Sequence, residues 1–254
     1  MSKKTDAWDY LDMAYEADSE ETALKYARKA LKLDPNCLDA EMMVSEITIR
    51  DQEELKIKYE ELIAKEEAHL REGGLLTDEN IGSFWGIVET RPYMRLRFSY
   101  LHLLIDMGKF RMAAKACEEL LELSEGDNMG VRYILMSLYA FFEDELSVNR
   151  LYKRFEREES TQMLLPLIAL YYKMDNYDKA EQYLKKLYEV NEELEEVFCS
   201  DEEFDEETLD DVIDSGMYQI GSKEEIMVAM TDAAFLYTTT VGLFRWIASR
   251  IENY

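Results

Sequence analysis

The chain has 254 residues, 47% hydrophobic and 33% charged, with 55 acidic side chains against 29 basic ones and a formal net charge of −26. The hydrophobic fraction excludes disorder throughout. Ten Gly and three Pro are too few for the hairpins of a sandwich or propeller, so long helices follow. The charge disfavours duplex nucleic acid and anionic membranes, which attract cations, and suits neutral or basic partners.

The chain opens MSKKTDAWDYLDM, with two lysines and no apolar run behind them, so no signal peptide is expected. No uncharged apolar stretch reaches the roughly 18 residues of a membrane span. Cys37, Cys117 and Cys199 are odd in number and far apart, which suits reduced thiols in a cytoplasmic protein without disulfides or zinc.

Elements then recur along the chain. Ala23, Ala27 and Ala30 stand at helical spacing, ending in Leu31-Lys32-Leu33-Asp34-Pro35-Asn36. Leu55, Tyr59 and Leu62 repeat the four- and seven-residue steps. Residues 71–90, REGGLLTDENIGSFWGIVET, form a longer connection. Its Phe84, Trp85, Ile87 and Val88 predict a short helix or turn packed on its neighbours. Thr90 is the predicted cap of the next helix, with Pro92 tolerated in its first turn. From Leu101 to Leu123 two helices flank a turn at Met107–Phe110, and Ala113, Cys117 and Leu120 are the packing positions. A degenerate copy places Ser147 and Leu151 at the same stations, after Tyr133, Ile134 and Leu138. The clearest copy is Leu165–Asn191: Leu167, Leu170 and Tyr171 on one helix, a turn at Met174–Asn176, then Ala180, Leu184 and Leu187. A small residue lets paired helices approach, and the +4 and +7 positions fill the groove beside it. Ala113 and Ala180 are 67 residues apart, about twice a 34-residue period.

Trp8-x2-Leu11, Tyr15, Ala23, Ala30 and the Leu-Asp-Pro-Asn ending resemble a tetratricopeptide repeat, as does Tyr177–Asn191. The resemblance covers about residues 4–70 and 91–191. It implies an all-α fold: a right-handed α-solenoid of about five helix pairs spanning residues 1–191, interrupted by the 71–90 insertion. It also implies a concave groove that holds peptides or protein segments.

Beyond Asn191, 13 of the 23 residues from Glu192 to Asp214 are acidic and none is basic. This acidic connection, 192–221, is interrupted by Leu194, Val197, Phe198, Phe204, Leu209, Val212 and Ile213. Ser222-Lys-Glu-Glu225 then reads as a capping box, followed by Ile226, Ala229, Met230, Ala233, Ala234 and Tyr237 at helical spacing. Thr240 is the predicted N-cap of a last helix carrying Leu243, Trp246, Ile247 and Ile251. Residues 222–254 are expected as capping helices that cover the last repeat or fold back into the groove. Tyr218–Trp246 is also similar to the tail of bacterial repeat proteins.

No catalytic, nucleotide-binding or EF-hand motif is present, and His69 and His102 share no partner at a motif spacing. No enzyme activity, cofactor or metal is expected. Arg91–Lys115 is a basic run in an acidic chain: Arg91, Arg95, Arg97, Lys109, Arg111 and Lys115 against Asp106. The resemblance implies groove positions at Arg95, Phe98, His102 and Ile105, at Met129, Arg132, Met136 and Tyr139, and at Gln162, Leu165, Ala169 and Tyr172. Arg95 and Arg132 amid aromatics and Met would clamp a carboxylate or a peptide backbone. Alternatively, these arginines pair with the protein's own acid. The expected function is a non-enzymatic interaction module binding a protein or peptide segment. A ligand-sensing regulator, a self-associating structural subunit and a basic partner gathered by the acidic segment stand beside it.

Overall fold

The computed structural model describes residues 6–199, 217–252 and 254. They divide into two compact units, residues 1–129 and 130–254. The boundary falls after the third helix pair, and the C-terminal segment belongs with the fourth and fifth.

Unit 1 holds three pairs: α1 (Ala7–Tyr15) with α2 (Glu20–Leu33), α3 (Leu38–Thr48) with α4 (Gln52–Glu72), and α5 (Arg91–Asp106) with α6 (Phe110–Leu123). Asp6 and Asp9 close a reciprocal capping box at the start of α1, which satisfies two otherwise unpaired backbone donors. Ala27 and Ala30 are buried against Leu11 and Ala14. Tyr59 and Leu62 join Leu38, Leu96 and Leu103 in a second cluster. Ala113, Cys117 and Leu120 are buried on α6.

The insertion packs through Phe84, with Trp85 and Ile87 half-buried, while Val88 stays exposed. Helix α4 runs to Glu72, and two short 3-10 turns follow at Phe84–Gly86 and Val88–Thr90. Phe84 is fully buried. The Gly82 amide donates to the Leu123 carbonyl at 3.1 Å, and the Glu125 amide donates to Gly82 at 2.9 Å. Thr90 does not cap α5. It has helical backbone angles, and its hydroxyl donates to the carbonyls of Phe84 and Ile87, so it tethers the insertion instead.

Unit 2 holds α7 (Val131–Phe141) with α8 (Glu145–Arg154), and α9 (Thr161–Lys173) with α10 (Tyr177–Val190). After them come α11 (Leu194–Cys199), α12 (Lys223–Asp232), α13 (Ala234–Tyr237) and α14 (Leu243–Ile251). Ala180, Leu184 and Leu187 are buried at the stations the spacing assigns. Ser147 is not the packing residue of α8. Asp144 caps that helix, and Val148 stands four residues beyond the cap, as Ala113 and Ala180 do beyond theirs. Val148, Leu151 and Tyr152 are the buried side chains there.

Helix α9 starts four residues before the sequence pattern, and Thr161–Tyr171 is buried without a break. Pro166 lies inside it and has no N–H to return to the Gln162 carbonyl. The helix survives because packing on every side replaces that bond. Of the acidic connection, Leu194 is buried on α11, while Phe204, Leu209, Val212 and Ile213 lie outside the described residues.

Candidate functional site

In unit 1 the first helices of the pairs, α1, α3 and α5, share a face. That face carries a cavity of about 290 Å³, lined by Tyr15 of α1, Asp39, Met42, Met43 and Glu46 of α3, and Arg95, Phe98 and Ser99 of α5. The α3 residues are spaced i, i+3, i+4, i+7, and the α5 residues i, i+3, i+4, so each set shares one helical face.

Arg95 holds Asp39 with both arms of its fork, Nε–Oδ1 at 2.8 Å and Nη2–Oδ2 at 2.6 Å. Asp39 is only 3% exposed, whereas Arg95 is 38% exposed. The hydrogen bonds to Asp39 raise the Arg95 pKa further. The carboxylate clamp expected of Arg95 is therefore filled by the chain's own aspartate. Phe98 is half-buried and meets His102 edge-on, with ring centroids 4.5 Å apart. Tyr15 is 58% exposed, yet desolvation of its hydroxyl end and the Asp39 charge push its pKa up to about 12. Glu46 accepts a hydrogen bond from the Tyr59 hydroxyl. Although much of the residue faces solvent, desolvation of its carboxyl raises its pKa, and the Tyr59 bond opposes this only in part.

Arg91, Arg97, Lys109 and Lys115 of the basic run also have partners within the chain. The Arg91 Nε donates to the Trp85 carbonyl at 3.0 Å. Arg97 is buried, bonded to Tyr93 and Glu119, with Glu67 at 3.9 Å. Lys109 pairs with Glu53 at 2.8 Å, and Lys115 with Glu119 at 3.5 Å.

In unit 2 the first helices of the pairs, α7 and α9, are covered by the chain itself. Helix α12 packs on α9, and α13 packs on both α7 and α9. Met136, Leu165 and Ala169 are fully buried, and Gln162 nearly so. They are core residues on helices that the C-terminal segment covers. Arg132 pairs with Glu158 at 3.0 Å and lies over the Tyr133 ring, 4.1 Å from its centroid. Tyr139 is half-buried on α7. Tyr172 donates to the Val241 carbonyl at 3.3 Å and meets the Trp246 ring at 5.6 Å. Phe141 meets Phe235 edge-on at 5.6 Å.

A buried carboxylate fastens this cover. Glu225, 3% exposed, accepts from the Thr161 amide and hydroxyl at 3.2 and 3.0 Å, and from the Gly221 amide at 2.7 Å. The Asn191 side chain donates to Thr161 Oγ1 and to the Ser222 carbonyl, both at 3.0 Å. Ser222 caps α12 as expected, but the Glu225 side chain serves Thr161 and Gly221 instead of completing the box. Thr240 does not cap α14. Gly242 does, with φ of +86°, while the Thr240 hydroxyl donates to Leu236.

Groove positions expected from the third repeat onward leave out Tyr15, Asp39, Met42, Met43 and Glu46. The i, i+3, i+4, i+7 spacing of the last four is visible in the sequence. Two acids among 55 and two methionines did not stand out as a site. Among the described residues no group of acidic, His or Cys side chains could hold a metal ion. No helix among them is long and apolar enough to cross a membrane.

Residues 169–194, from the middle of α9 into α11, match the tetratricopeptide-repeat model. No curated protein matches the chain by sequence. Among solved structures, YrrB, described as a TPR protein with an unusual peptide-binding site, is 20% identical, with 71% of this chain and 84% of that one covered and a TM-score of 0.43. The MamA protein is 12% identical, with 78% and 98% covered and a TM-score of 0.48.

Proposed function

We infer that this chain, a tetratricopeptide-repeat protein, is an interaction module whose first three helix pairs hold a segment of a partner protein. The observation that carries this reading is the open cavity on the first helices of unit 1, walled by Met42, Met43, Phe98 and Tyr15. Its volume of about 290 Å³ sits at the lower edge of the roughly 300–1,000 Å³ typical of ligand pockets. That is room for one or two anchoring side chains of a peptide. Methionines suit such a wall, because the unbranched thioether adapts to the shape of what it meets. The module performs no chemistry of its own in this reading. Unit 2 contributes its own filled face, and the arginines of the basic run serve the fold.

The test is selection of a phage-displayed random peptide library on the full-length chain, followed by titration of the synthesised winners. Phe98→Ala removes one of the cavity's two aromatic walls and should weaken binding by about tenfold or more, as expected of an aromatic hot spot. Leu146→Ala, at a solvent-exposed position of unit 2, should leave binding unchanged. Equal binding by wild type and Phe98→Ala, with helicity preserved, would remove the reading.

A further inference from the structure

We propose that the segment held in the unit 1 cavity carries a lysine or arginine beside its apolar anchor, and that Glu46 receives it. The inference rests on the interaction reading above and adds the chemistry of the partner. The charges on the cavity wall decide it. Arg95 and Asp39 are joined by two hydrogen bonds along one guanidinium edge, so together they present no net charge.

Glu46 remains. Its hydrogen-bond partner is the neutral Tyr59 hydroxyl. Among the described residues no Lys or Arg pairs with it, whereas neighbouring Glu41 on the same helix is paired with both Lys58 and Lys65. A carboxylate partly removed from water, without a cation, at the wall of an apolar cavity is an incomplete ion pair. An incoming ammonium or guanidinium completes it, while Met42, Met43 and Phe98 take the apolar side chain next to it.

The surroundings agree in sign. Trp8, Asp12 and Tyr15 lie at i, i+4, i+7 on α1 and are all exposed, so an acid and two aromatic faces share the side of α1 that supplies Tyr15 to the cavity. Aromatic faces attract cations as well. An acidic segment would meet Glu46 and Asp12 with like charge, which disfavours it.

The peptides selected on the full-length chain are the probe. Their consensus should contain a basic residue within a few positions of an apolar one. Replacing that basic residue with glutamine should weaken binding about tenfold, the typical worth of one charge-assisted hydrogen bond. Glu46→Gln keeps an acceptor for Tyr59 and so should fold. It should bind the basic and glutamine peptides equally, and Glu46→Lys should shift the selected pool to acidic sequences. Binding that depends on Phe98 but shows no basic preference, or a basic preference unchanged in Glu46→Gln, overturns this inference and leaves the interaction reading standing. Binding indifferent to Phe98, or no enrichment over bare support, overturns both.

Discussion

Removing the guanidinium of Arg95 would leave Asp39 as an unpaired charge at 3% exposure. Stripping one partner from a fully buried pair costs about 3–5 kcal/mol. Arg95 keeps 38% of its side chain in water, so we expect Arg95→Ala to cost about 2 kcal/mol, read as a lower urea midpoint. Arg95→Lys should recover only part of this, because a point charge cannot bond both carboxylate oxygens along one planar edge. An unchanged midpoint in Arg95→Ala would mean that water already solvates Asp39. The residue scale is also where the sequence was hardest to read. Arg95 was recognisable as a first-helix residue, but its partner lies 56 positions earlier. Nothing local distinguishes Asp39 from the other acids. Thr240 and Gly242 show the same difficulty. Both are plausible caps, and the choice depends on Tyr172, whose hydroxyl would lie 2.8 Å from a Cβ at position 242.

At the scale of elements, the register of α8 is the sharpest test. If Val148 is the close-packed station of this pair, Val148→Ala opens a void and should cost on the order of 1–3 kcal/mol. Ser147→Ala, at a half-buried position, should stay within about 0.5 kcal/mol of wild type. Thermal denaturation of the two variants distinguishes the registers, and the reverse order would restore Ser147. The pairs α5–α6 and α9–α10 were legible because a turn, a small residue and two apolar positions coincide in each. Helix α8 offered a small residue, Ser147, only one position before the buried station, and a strict period of about 34 residues pointed to it. Helix α9 began earlier than its pattern because Pro166 masks a helix that surrounding contacts sustain. The C-terminal segment was legible as helices with an apolar face. Where that face docks depended on Glu225, Asn191 and Thr161 meeting from distant parts of the chain.

For the whole molecule, two kinds of carboxyl set the pH dependence. Burial raises Glu41 and Glu158, but hydrogen bonds from Lys58 and Lys65 in one case, and from Tyr133, Ser160 and Arg132 in the other, outweigh it and leave both below the ordinary glutamate value. Such groups stabilise the fold above the unfolded pKa of about 4.3 and lose that contribution as pH falls through their folded values. Glu46 and Glu66 are opposite, raised chiefly by burial. They cost stability when ionised and return it when they protonate. Relief of self-repulsion at a net charge of −26 acts in the same direction. The urea midpoint should therefore rise as pH is lowered from about 7 to about 5, then fall below about 4. A midpoint that declines steadily from neutrality would contradict the burial of Glu46 and Glu66.

The chain has three tryptophans, and they occupy unlike settings. Trp8 is exposed on α1, Trp85 is half-buried in the insertion beneath the Arg91 guanidinium, and Trp246 lies tilted against Tyr172 and Tyr177. Indole emission shifts to the red as its surroundings become wetter, so these positions make intrinsic fluorescence a regional reporter. With Trp8 and Trp85 replaced by phenylalanine, all remaining indole light comes from the docked C-terminal helix. Excitation at the red edge of the spectrum would then follow the undocking of that helix from α9 and α10, separately from any unravelling in residues 6–129.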